Sequence, residues 1–354
     1  MAKIRGVTTL KVTIRDVAQA AGVAPATVSN YLNDSAPVSE AARKKIGDAI
    51  TRLNYRQTVR SVVPSRNATE IALFVPEAFE NKDRMYLDET FLDLLRGVGE
   101  QLRQSGSRLT LLWHKQLPDI EREIIGSGAI GGVIYPSPHV DDPIPGLLLD
   151  NDVPLVTLGE LSNRTDYHSV DMDNIAGAQM ATRHLIELGH RDIAFIAPCP
   201  LDTMLSFYRL TGYQRAMTLS GLPLRSEYVR VGDFSAETGY RIAAELLALP
   251  HPPTAIVAGR DMLALGAIAA ARQAGLETPG QLAVTGFDNT SLAEHHGITS
   301  VKAPLYDIGA EATRLLLEIV ADKRLPARKL VIPTQLIVRA SSDPASSDAG
   351  LRFY

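Results

Sequence analysis

Apolar positions along this chain recur first at helical spacing, then in short runs set between helical stretches. Ile14, Val17, Ala18 and Ala21 share one face of a short first helix. Thr13 with Asp16 three residues later suits the start of that helix as a capping box. Gly22 supplies a turn, and Pro25 fits the first turn of a second helix, where a missing N–H costs nothing. On that second helix Val28 and Leu32 face inward, while Ala26, Thr27, Ser29 and Asn30 face out. Ser39 opens a third helix with Ala42, Ile46, Ala49, Ile50 and Leu53 as its apolar stripe. From Glu70 the pattern changes. Strands at 71–75, 108–113, 131–136 and 153–158 alternate with helical stretches such as 91–106. HSVDMD at 168–173 begins a second series, with strands at 192–198, 254–258 and 281–287. Short apolar strands alternating with helices predict parallel sheets wound on both faces, and two series predict two lobes. Ligands of such sheets sit beyond the carboxyl ends of the strands, here in the cleft between lobes. The expected fold is an all-α helix-turn-helix head followed by an α/β body of two doubly wound lobes.

Charge sharpens this division. Residues 1–66 hold eleven Lys/Arg against four Asp/Glu, a net of +7, whereas the whole chain is −4, leaving −11 on the rest. A basic head on an acidic body suits phosphate contacts at one end. The outward face of the second helix is small and polar, as a helix entering a major groove requires. No apolar run reaches membrane-spanning length, and MAKIRGVTTLKV at the N-terminus has no apolar core of a secretory signal. Cys199 is the only cysteine, which excludes an intramolecular disulfide and fits a cytoplasmic location. No metal-ligand spacing, P-loop or phosphate-binding GxGxxG is present, so no cofactor, metal or catalytic activity is expected.

Head and body together resemble the LacI/GalR family of bacterial transcription regulators over about residues 12–342. The segments that carry the resemblance are TIRDVAQAAGVAPATVSNYLN (13–33), DNIAGAQMATRHLIELGHRDIAFIAP (173–198), RLTGYQRAM (209–217), DMLALGAIAAARQAGLETPGQLAVTGFDN (261–289) and PTQLIVRASS (333–342). The resemblance implies a body like that of periplasmic sugar-binding proteins. It also implies that Ile298 to about Arg328 crosses back to the first lobe and the final strand returns to the second. The expected boundaries are a DNA-binding head at 1–56, a hinge at 57–67, an effector-binding and dimerisation body at 68–342 and a tail at 343–354.

Carried over position by position, the resemblance places base-edge readers at Pro25, Ala26 and Asn30. Pro25 and Ala26 have no donors and offer only apolar contact, so Asn30 is the hydrogen-bonding candidate, with adenine its usual partner. Thr13, Thr27, Ser29 and Asn33 read as phosphate and register contacts, and Tyr55 belongs to the same interface. Ala24 replaces the usual serine cap of the reading helix. In the hinge, Val62 or Val63 stands where relatives insert a leucine into the minor groove, and Pro64 would stop a hinge helix. The alternative is a disordered tether.

In the body the resemblance assigns Arg209 to clamping effector and Asp288 to accepting from its hydroxyls, the two facing each other across the cleft. Phe91 matches an aromatic that stacks on ligand in relatives, the alternative being a plain core residue. Arg260 stands where relatives carry a small residue or asparagine, and Glu160 where many carry another polar or basic residue. Arg260 either binds an anionic group, such as a sugar phosphate or sugar acid, or pairs with Glu160 and leaves a neutral sugar site. The first is preferred. The expected protein is a homodimeric repressor that binds a near-palindromic double-stranded operator under control of a small carbohydrate-type effector, with no membrane partner. The alternative is a cytoplasmic sugar- or solute-binding protein without operator function.

Overall fold

A computed structural model of the protein describes residues 14–33, 37–52, 69–75, 80–81, 84–85, 89–113, 117–343 and 345. The chain divides into two compact units, residues 1–66 and 67–354. The first holds α1 (Ile14–Ala21), α2 (Pro25–Asn33) and α3 (Glu40–Arg52). Val17, Ala18, Ala21, Val28, Ile46 and Ala49 form its buried core, with Val23, Tyr31 and Ile50 packed against them. Gly22 turns the chain at φ +64°, a conformation that a side chain would strain. The carbonyl of Ala24 accepts from Thr27 N at 2.9 Å and starts α2. The Arg52 guanidinium donates to the Ala20 carbonyl at 3.1 Å and ties α3 to α1.

The body runs β1 (Glu70–Phe74), the short pair β2 (Glu80–Asn81) and β3 (Arg84–Met85), α4 (Glu89–Ser105), β4 (Arg108–Leu112), α5 (Leu117–Ile120), β5 (Ile130–Pro136), α6 (Pro143–Asp150), β6 (Leu155–Leu158) and β7 (His168–Met172). It continues through α7 (Asn174–Glu187), β8 (Ile193–Ala197), α8 (Met204–Leu219), β9 (Val229–Val231), α9 (Ala236–Leu247), β10 (Ala255–Ala258), α10 (Asp261–Gln273), β11 (Ala283–Asp288), α11 (Ser291–His295) and β12 (Thr299–Lys302). Last come α12 (Leu305–Ala321), β13 (Lys329–Ile332) and β14 (Gln335–Ile337). Two six-stranded sheets result, in the orders β13-β7-β6-β5-β1-β4 and β14-β12-β11-β10-β8-β9. Their pairings are parallel except that between β12 and β14. One apolar cluster continues through both lobes, from Ile71 and Val98 to Phe195 and Val301.

Two expectations are corrected. The strand at 168–172 does not begin the second series: it is β7 of the first sheet, paired with β6 and β13. The second lobe begins with α7. The return to the first lobe starts after Lys302 rather than at Ile298, because β12 pairs with β11 in the second sheet. The chain thus changes lobe three times, between β7 and α7, between β12 and α12, and between β13 and β14. Residues at the carboxyl ends of strands in both sheets, Pro136, Leu158 and Met172 in one and Asp288 in the other, line a common cleft. Among the described residues, no helix is long and apolar enough to cross a membrane.

Candidate ligand cleft and DNA-reading helix

Between the lobes lies a cavity of about 330 Å³. Its polar wall is built on the second lobe. Asp288 ends β11 with φ +100°, followed by Asn289 at φ +55°. Such backbone is strained for residues with side chains and persists only where neighbours enforce it. Asp261 does so: its carboxylate accepts from Ser300 Oγ at 2.5 Å and from Thr290 N and Oγ1 at 2.8 and 2.9 Å. Burial, then the neighbouring Asp288, pushes the Asp261 carboxyl well above the usual carboxylate range.

Two arginines hold Asp288. Arg260, between β10 and α10, donates from Nε to Asp288 Oδ2 at 2.7 Å. Arg209 on α8 donates from Nη2 to Oδ1 at 3.4 Å. Arg209 is 2% exposed, so its charge needs satisfied geometry. Its Nε donates to Asn174 Oδ1 at 3.0 Å, its Nη1 to the Gly259 carbonyl at 2.5 Å, and its guanidinium lies 3.5 Å from the Phe287 ring centroid. Arg260 packs over Phe234 at 4.5 Å and reaches across the cleft, where Nη2 donates to Thr90 Oγ1 of α4 at 2.9 Å.

The first-lobe wall is mostly apolar, with Phe91, Leu94, Leu158 and Ile308 on the cavity. Asp171, at the carboxyl end of β7, is its acidic group. Further bonds close the cleft from its rim. The Tyr208 hydroxyl donates to Glu160 at 2.5 Å, and Glu89 accepts from Ser291 N at 2.9 Å and from Ser291 Oγ at 2.6 Å.

Phe91, Arg209, Arg260 and Asp288 therefore come together on one cavity, as the sequence suggested. Their partnerships differ from the expectation. Arg209 and Asp288 do not face one another across the cleft; both belong to the second lobe and form a buried ion pair. Arg260 does not pair with Glu160, and its charge is already matched by Asp288. Glu160 is absent from the cavity wall and bonds Tyr208 instead. Sequence reasoning passed over Asp171, Asn174 and Tyr208. The signal for Asp171 was the one carboxylate in the strand HSVDM, next to its carboxyl end, where doubly wound sheets place ligands.

On the head, α2 carries Pro25 exposed and Thr27 and Asn30 half-buried. The side chains of Ala26, Ser29 and Asn33 lie outside the described set, as do residues Thr13, Tyr55, Val62 and Val63. Arg43, Lys44 and Lys45 of α3 are exposed.

A helix-turn-helix head joined to a two-lobed body with a ligand-sized cleft defines a DNA-binding regulator of the binding-protein type. Residues 13–57 match the model for bacterial regulatory proteins of the lacI family, and residues 182–342 that for a periplasmic binding protein-like domain. HTH-type transcriptional regulator CelR of Thermobifida fusca is 35% identical over 341 residues, covering 93% of this chain and 98% of that one. Catabolite control protein A of Priestia megaterium is 31% identical over 339 residues, covering 94% and 100%. The chain belongs to the LacI family of transcription regulators. Among solved structures, a transcriptional regulator CelR–cellobiose complex superposes with a TM-score of 0.71 at 34% identity, covering 94% of this chain and 100% of that one. The lac repressor dimer bound to operator and an anti-inducer superposes at 0.70, with 23% identity and 94% and 99% coverage, a likeness of fold.

Proposed function

We propose that this protein is a homodimeric repressor whose affinity for a near-palindromic operator is set by a neutral sugar held between the two body lobes. The observation that carries the ligand class is the Arg260–Asp288 pair at 2.7 Å. It ties the Arg260 guanidinium to a carboxylate of the protein, so Arg260 is already engaged rather than held in reserve for an anion. The solved structure of a transcriptional regulator CelR–cellobiose complex supports the same class. A volume of about 330 Å³ lies at the small end of ligand pockets, in keeping with a mono- or disaccharide.

On the DNA side, Asn30 reads a base edge, adenine being the commonest partner. Thr13, Thr27, Ser29, Asn33 and Tyr55 set register on phosphates, Pro25 and Ala26 give apolar contact, and Val62 or Val63 wedges the minor groove. Two heads on a twofold dimer match a twofold operator. A coupling of ~1–3 kcal/mol between sugar and operator would change operator affinity roughly five- to 150-fold.

The test is a thermal-shift screen of the full chain with neutral sugars, sugar phosphates and sugar acids, followed by operator binding with each hit. A neutral hit that releases operator is expected, since a ligand specific for the folded state raises its melting temperature. Stabilisation by anionic sugars alone would overturn the ligand class. In parallel, operator binding should weaken steeply with salt and be lost in a fragment of residues 67–354 that still shifts with sugar. A specific duplex shift by that fragment would refute the head's role.

A further inference from the structure

The geometry points to Asp171 as the first-lobe recognition group for the effector, accepting hydrogen bonds from ligand hydroxyls opposite the Asp288 cluster. This rests on the carbohydrate reading above and adds to it the group by which the first lobe grips the sugar.

The argument starts from an imbalance. Asp171 closes β7 among apolar neighbours, Val170 and Met172, and opens onto the cavity. Its own chain supplies few donors. Oδ1 accepts from Met172 N at 2.7 Å, and Asn174 Nδ2 approaches the two oxygens at only 3.3 and 3.5 Å. Every cation nearby is committed elsewhere. Arg209 spends its donors on Asn174, Gly259 and Asp288, and Arg260 on Asp288 and Thr90. A half-buried carboxylate without a cation is costly, and desolvation pushes Asp171 up to about 7, with Glu160 adding to the rise and Arg209 opposing it. A group that costs stability in the empty protein and faces a cavity is one whose missing donors a ligand supplies. A sugar carries such donors along its whole edge.

The surroundings leave room for it. Gly159, at φ +121°, occupies the position beside the carboxylate; a side chain there would be strained and would press on Pro138 at 3.2 Å while nearing Asp171 Oδ2 at 3.9 Å. The approach from the cavity thus stays open. The second lobe presents Asp288 and the two arginines, so a ligand touching both walls spans the cleft. A bond to each lobe is what lets binding favour one lobe arrangement over another.

The charged and titratable groups that act on Asp171 or share its cavity are Glu160 on the loop after β6, Arg209 and Tyr208 on α8, His139 on the loop after β5, Cys199 after β8, and Arg260 with Asp288 across the cavity. The hydroxyl-accepting form is the anion. Affinity should therefore rise with pH through the neutral range and level off above it.

The experiment compares the full-length protein with Asp171→Asn, which keeps size and removes charge. Cellobiose and a panel of other neutral mono- and disaccharides are the probes. For any sugar that stabilises the wild type, calorimetric Kd should be at least tenfold weaker in Asp171→Asn. Wild-type Kd should tighten several-fold from pH 6 to 8, and the variant's should stay flat. The unliganded variant should melt at or above the wild type, with its advantage growing from pH 5 to about 7, where the unfolded carboxylate is ionised and the native one still protonated, and levelling off above that. Equal Kd values, a pH slope that survives in Asp171→Asn, or an unliganded variant that melts lower at pH 8 would each overturn the role of Asp171. If no neutral sugar stabilises the wild type, the carbohydrate reading fails first and takes this assignment with it.

Discussion

Arg260 does two jobs with one guanidinium: it neutralises Asp288 and reaches Thr90 on the opposite lobe. Removing one partner of a buried ion pair typically costs ~3–5 kcal/mol, because the other charge stays behind. Arg209 still contacts Asp288, so Arg260→Ala should destabilise by roughly the lower end of that range, read as a lower denaturant midpoint at unchanged slope. It should also weaken neutral and phosphorylated sugars alike. A selective loss of the phosphorylated compound would mean that Arg260 was an anion receptor after all. The four residues that meet on the cavity were legible because each stands at a position that the family resemblance marks as ligand-facing. Their partners were not. Which carboxylate an arginine reaches depends on side-chain rotamers and strand order, and neither leaves a trace in spacing. Neither expected role of Arg260, anion receptor or partner of Glu160, anticipated Asp288, and the donor that reaches Glu160, Tyr208, lies one residue before Arg209.

At the level of elements, the helices could be read and their sheet membership only partly. Periodicity shows that 168–172 is a strand, but a strand belongs to whichever neighbour it pairs with, and β7 pairs with β6 and the distant β13. The lobe boundary falls just after it, so counting alternating elements put it on the wrong side. Close helix contacts leave a clearer mark. α4 and α12 meet where Gly97 faces the Tyr306 carbonyl, and a Cβ added at Gly97 would also come within 2.8 Å of Ala310 N. Backbone cannot yield as a flexible side chain does, so Gly97→Ala should push the two helices apart. The expected cost is about 1–3 kcal/mol, as for other overpacked sites. Gly146 in α6 is the control, because an added Cβ there meets nothing within 4 Å. Gly146→Ala should be neutral or stabilise by about 0.5–1 kcal/mol through helix propensity. Chemical denaturation of both variants reads the difference, and equal effects would show that the α4–α12 approach is not a tight constraint.

At the scale of the whole molecule, the charge split between head and body and the two-lobed plan were visible from sequence, because they are written in composition and in the order of elements. The state of the cleft was not, because closure depends on a few bonds between residues far apart in the chain. Three such ties are Arg260–Thr90, Glu89–Ser291 and Tyr208–Glu160. The last gives the cleanest test, since neither Tyr208 nor Glu160 is on the cavity wall. Burial and the Glu160 carboxylate push the Tyr208 phenol upward, so it remains a donor at neutral pH. Tyr208→Phe keeps the ring and removes only that donation. A hydrogen bond to a charged group contributes about 1.5–3 kcal/mol. If ligand is held by the closed arrangement, the variant should bind every sugar roughly tenfold more weakly or worse, in unchanged order of preference. Because linkage is reciprocal, more sugar should then be needed to change operator affinity by the same amount. Calorimetry with two sugars and operator titration at several sugar concentrations measure both effects. A change in the order of sugars would place Tyr208 in direct contact with ligand, and no change in affinity would show that the Tyr208–Glu160 tie does not hold the cleft closed.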